Sequence, residues 1–81
     1  MVAHTQGSLH FMKFIYKILF YRGIIQDPKS SIDDVLDNFI SAKAYIQGVM
    51  DAYDGDAAIA EKLLDVYRDI LDLVKERIND L

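Results

Sequence analysis

From Ile32 onward the apolar residues keep a seven-residue rhythm. Ile32, Val35, Phe39, Ala42, Ile46, Val49 and Tyr53 alternate steps of three and four. A strand alternates every second residue, whereas this spacing stacks side chains along one face of a helix. Leu36, Ile40 and Met50 widen the stripe on one side, and a helix is expected over 31–53. Ser30 or Ser31 marks its start. Each has an aspartate three positions later, Asp33 or Asp34, which approximates a capping box although Glu or Gln is the usual partner. Asp33, Asp34 and Asp37 also set negative charge at the positive end of the helix dipole.

The rhythm breaks at "DAYDGDAA". Asp54 or Asp56 can cap a following helix, and Gly55 can supply the turn. A third helix, 56–80, then carries two adjacent apolar stripes. One is Leu64, Tyr67, Leu71, Val74, Ile78 and Leu81; the other is Ile59, Leu63, Val66, Ile70 and Leu73. The far side holds Glu61, Lys62, Asp65, Arg68, Asp69, Asp72, Lys75 and Glu76, largely alternating in sign as a solvated face does. The short connection makes the two helices an antiparallel hairpin, each roughly 33–37 Å long at the rise of an α-helix.

The N-terminal third has no such phase. "HFMKFIYKILFYRGII" sets aromatics, Ile and Leu around Lys13 and Lys17, with no acid nearby. On a helix, Gln6, His10, Lys13 and Lys17 form one narrow polar strip, and the remaining circumference is apolar. A short helix over 9–22 is expected, ended by Gly23, after a flexible lead over 1–8. Met12 opens "MKFIYK" and offers an alternative start for translation, which would make "MVAHTQGSLHF" additional sequence. The connector "IIQDPKSS" contains Pro28, which turns Asp27 away from helical geometry.

A membrane span needs about twenty apolar residues. Phe11 to Ile25 supplies fifteen and includes Lys13, Lys17 and Arg22, so a span is not expected. Charges inside the apolar stretch and the lack of a small-residue cleavage site also argue against a signal peptide. A helix apolar nearly all round is buried on several sides. It either packs on the hairpin and across an oligomer interface, with lysine stems covering apolar surface, or lies in a membrane interface. The width of the apolar arc favours packing. A helix of about 20 Å cannot roof the whole hairpin, and the apolar arc left open on helix three calls for a partner. A dimer whose hairpins cover one another, in a four-helix or six-helix assembly, answers that need.

Charge changes this picture in one respect. Residues 1–25 carry +3 and residues 26–81 carry −7, giving the net −4. An acidic majority disfavours nucleic acid as a partner. It also allows the outer face of helices two and three to mimic a nucleic-acid backbone and inhibit a DNA-binding protein, although Lys43, Lys62, Arg68, Lys75 and Arg77 dilute it. Eighty-one residues make one small domain with a narrow stability margin, which self-association can widen. Without cysteine there is neither a disulfide nor a thiolate metal site.

Chemistry-bearing patterns are sparse. With Gly55 at the sixth place of a calcium loop, Asp54 and Glu61 fit the fifth and twelfth, but Met50 and Ala52 stand where oxygen ligands are required. His4 and His10 are poorly spaced as metal ligands. No nucleophile–base constellation, HExxH, ExxH or phosphate loop is present. The expectation is therefore a non-enzymatic interaction protein without cofactor or metal, cytoplasmic, acting as adaptor, regulator or inhibitor through protein–protein binding and homo-oligomerisation, with a dimer favoured. A membrane-peripheral role is the alternative. Fold class is all-α: a short N-terminal helix on a long antiparallel hairpin, a three-helix bundle completed by oligomerisation. Candidate interface residues are Phe11, Phe14, Ile15, Ile18, Leu19, Tyr45, Tyr53, Tyr67, Leu71 and Ile78.

Overall fold

The computed structural model describes residues 2–81, with side chains from Met12 onward. It is an all-α bundle of three mutually packed helices: α1 (Val2–Gln26), α2 (Ile32–Ala52) and α3 (Ala57–Asn79). The ends of α2 and α3 follow their capping chemistry. Ser31 has extended backbone angles and its hydroxyl accepts from the Asp34 N–H at 3.1 Å, so Ser31 and not Ser30 is the cap. Asp56 does the same for α3, accepting from the Ile59 N–H at 3.2 Å. Gly55 turns the chain between them with φ of +90°, a left-handed conformation that glycine adopts without steric cost.

The core is a single apolar cluster of Phe14, Ile18 and Ile25 from α1, Val35, Ala42 and Ile46 from α2, and Leu63, Ile70 and Val74 from α3. Ile25, Val35, Ala42 and Ile70 are fully enclosed. The α2 rhythm delivers as expected. Its first six members are buried or half-buried against the core, and Tyr53, at the C-cap, is 43% exposed. Of the two α3 stripes, the one through Leu63 and Ile70 faces inward, joined by Val74, while Leu64 and Ile78 are exposed.

The first helix departs from expectation at both ends. Against the 9–22 expected, it is helical from Val2 and runs through Gly23 to Gln26. Gly23 is not in a left-handed conformation. Its carbonyl accepts from the Asp27 N–H at 3.1 Å, the bond of a continuing helix. Two forces extend α1 past the glycine. Ile25 must reach the core, where it is wholly buried, and Arg77 of α3 holds the chain just beyond. One guanidinium nitrogen donates to the carbonyls of Ile25 (3.1 Å) and Asp27 (2.6 Å), and the other to that of Ser30 (2.6 Å). The helix stops where Pro28 and an Asp27 side-chain turn onto the Lys29 N–H (2.9 Å) redirect it.

Candidate interaction surface

Four contacts fix how the helices face one another. Phe14 of α1 stacks on Tyr45 of α2 with ring centroids 5.7 Å apart, and Lys17 lies over the same Tyr45 ring at 5.6 Å. On the other flank Arg22 Nε is 3.2 Å from Asp69 Oδ2 of α3. Its N–H is not aimed at that oxygen, so this is an ion pair without a hydrogen bond. Between α2 and α3, Phe39 meets Tyr67 at 5.9 Å. Helix α1 thus seats on the Tyr45 side of α2 and the Asp69 side of α3.

At 100° per residue, the side of α2 opposite Tyr45 carries Leu36 and Ile40, and the side of α3 opposite Asp69 carries Leu64, Leu71 and Ile78. These form a seam along the hairpin, on the side away from α1. Leu36, Ile40, Leu64 and Ile78 are exposed, Ile40 at 63%, while Leu71 is half-buried. The hairpin is left partly unroofed, but not because α1 is short. It is open because α1 covers only one of its two sides.

A second open region lies on α1 itself. Phe14, Ile18 and Ile25 point inward, and the opposite side presents Met12, Ile15, Tyr16, Leu19 and Phe20, spaced as one helical stripe. Tyr16 is 66% exposed and Phe20 62%, so these two rings alone leave roughly 200–300 Å² of surface open. A stripe of five such residues reaches the few hundred Å² at which an apolar patch marks an interaction site. Lys13 and Lys17 border it toward α2, and Arg22 borders it toward α3.

The ten candidate interface residues therefore separate. Phe14 and Ile18 are core residues; Tyr45, Tyr67 and Leu71 are half-buried at helix contacts or edges. Ile15 and Leu19 lie on the α1 stripe, Ile78 on the seam, and Tyr53 at the hairpin turn. Phe11, like His4 and His10, lies outside the described side chains. Sequence reasoning missed Met12, Tyr16 and Phe20 of the stripe, and Leu36, Ile40 and Leu64 of the seam. A phase for α1, such as the contact between Phe14 and Tyr45 imposes, would have found the first group.

The calcium-loop frame around Gly55 falls largely on helix. Helix α2 continues through Ala52 and α3 begins at Ala57, so Met50 and Glu61 both sit in helices. Among the described residues no three histidines or carboxylates converge as a metal site. Nor is any described helix long and apolar enough to cross a membrane. The fold and these surfaces define the class: a small three-helix protein with two uncovered apolar faces. No protein-family model matches the chain, and no curated protein or solved structure matches it either.

Proposed function

We propose that this is a small non-enzymatic helical protein that works by protein–protein binding and self-association, with a dimer formed through the α2/α3 seam. The observation that carries this reading is the row of exposed Leu36, Ile40, Leu64 and Ile78 on the side of the hairpin away from α1. Two such hairpins laid face to face make a four-helix bundle, with the α1 helices outermost.

Charge selects the arrangement. On α2 the seam is bordered by Asp33 and Asp37 and, further along, by Lys43; on α3 it is bordered by Arg68 and Lys75 and, further along, by Glu61. The Phe39–Tyr67 contact sets the antiparallel register, so Asp37 is level with Asp69 and close to Arg68, and Asp33 is level with Leu73 and close to Lys75. With the two-fold axis along the helices, α2 of one copy faces α3 of the other at the same height. Asp37 then meets Arg68 of the second copy, and Asp33 meets Lys75. A two-fold axis across the helices instead lays α2 antiparallel on its own copy, which at the height of Val35 sets Asp33 against Asp37, and like-charge repulsion disfavours that.

The acidic-mimic alternative gains less from this geometry, because Arg68 and Lys75 interrupt the acids on the same surface. The dimer is tested by replacing Ile40 and Leu64 together with Gln. Because dimerisation stabilises the folded state by mass action, the thermal midpoint of the native chain rises with protein concentration, and that of the double variant does not. A native midpoint independent of concentration counts against the dimer.

A further inference from the structure

We propose that the outward stripe of α1 docks flat on the surface of an anionic lipid bilayer, independently of the seam dimer. Met12, Ile15, Tyr16, Leu19 and Phe20 point away from the core and have no partner helix. A helix that serves only to cover a core carries charge on its far side, as α3 does. Here the far side is apolar over two turns, and the cations stand at its borders. That is the section of an interfacial helix, with apolar side chains in the acyl boundary and lysines at headgroup level. Tyr16 at 66% exposure fits the same depth, since tyrosine places its ring in the boundary and its hydroxyl in the headgroups.

Charge complementarity favours lipid over a second α1. Lys13 and Lys17 lie on one border, so antiparallel pairing of two stripes brings the four lysines of two copies together at one edge. An anionic bilayer neutralises them. The acids of the chain do not oppose this contact strongly. All lie in residues 26–81; Asp69, which faces α1, is paired with Arg22, and Asp27 and Glu76 sit at the C-terminal end of α1, beyond the stripe. The outer acids of the hairpin sit about one helix diameter deeper, about 10 Å, which exceeds the screening length of about 8 Å at physiological ionic strength. The stripe lies on the surface and does not span it, because no described helix is long and apolar enough to cross.

The test is co-sedimentation of the full chain with vesicles of phosphatidylcholine, with and without phosphatidylserine. Sedimentation is expected with the phosphatidylserine vesicles and is reduced by high salt. Lys13→Gln with Lys17→Gln lowers the partition coefficient roughly ten- to thirtyfold. Tyr16→Ser with Phe20→Ser abolishes binding. Both pairs are on the surface, and an unchanged helical circular-dichroism spectrum confirms that they fold. The Ile40→Gln/Leu64→Gln chain sediments as the native chain does, which separates this contact from the dimer. Native protein that stays in the supernatant overturns the proposal and leaves an acidic protein surface as the occupant. So does binding that is indifferent to phosphatidylserine or to the stripe substitutions.

Discussion

The stripe on α1 and the seam between α2 and α3 are both apolar and both open, but their borders differ. The stripe is edged by Lys13, Lys17 and Arg22, of which Arg22 is ion-paired to Asp69. The seam has Asp33, Asp37 and Lys43 along its α2 edge and Glu61, Arg68 and Lys75 along its α3 edge. A surface with both signs, placed so that acids on one edge stand level with cations on the other, is complementary to itself under a two-fold rotation along the helices. A surface with one sign is not, and requires a partner of the opposite sign. Apolar area alone would have grouped the two regions together; their borders are what the two proposals rest on.

This contrast depends on a frame that holds the regions on opposite sides of the bundle, and Arg77 is its main polar fastening. It ties α3 to the carbonyls of Ile25, Asp27 and Ser30 across about fifty residues of sequence. Each bond from a charged donor is worth about 1.5–3 kcal/mol, and removing the donor leaves a part-buried carbonyl unsatisfied. Arg77→Met is therefore expected to cost about 2–3 kcal/mol, allowing for water at the exposed Asp27 carbonyl, and to lower the thermal midpoint on the order of 10–20 °C in a domain of this size. Differential scanning calorimetry reads this directly, and an unchanged midpoint would remove Arg77 as the clamp.

A smaller effect tests the seam borders. In the proposed dimer, Asp37→Arg places like charge opposite Arg68 of the second copy, and Arg68→Asp does the same opposite Asp37. Each single change is expected to weaken dimerisation roughly threefold to tenfold, within the range of an exposed or partly exposed pair. The double change restores most of the loss, since the pair is re-formed with its signs exchanged. Sedimentation equilibrium on the four proteins gives the coupling. Additive losses in the double variant would mean that the two residues do not meet.

Much of the frame was legible in the sequence because it rests on local chemistry. The heptad of α2, the Ser31 and Asp56 caps and the Gly55 turn each depend on residues within one or two turns. The phase of α1 was not legible. With Phe14 and Ile18 as apolar as Ile15 and Leu19, the chain does not say which pair faces inward. That choice is made by Tyr45 and Asp69, distant in sequence, which receive Phe14, Lys17 and Arg22. The end of α1 was hidden for the same reason. Gly23 is a local stop signal, and it is overruled by the burial of Ile25 and by Arg77. The stripes of α3 were both visible, yet only packing against α2 and α1 decides that Leu63 is enclosed and Leu64 open.

Self-association through the seam is tested most directly by the mass of the full chain in solution, measured by light scattering at micromolar concentration. Twice the 9.3 kDa chain mass is expected for the native protein, falling to the single-chain mass when Ile40 and Leu64 are replaced by Gln. A native protein that scatters as one chain would contradict it, as would a double variant that keeps the mass of two.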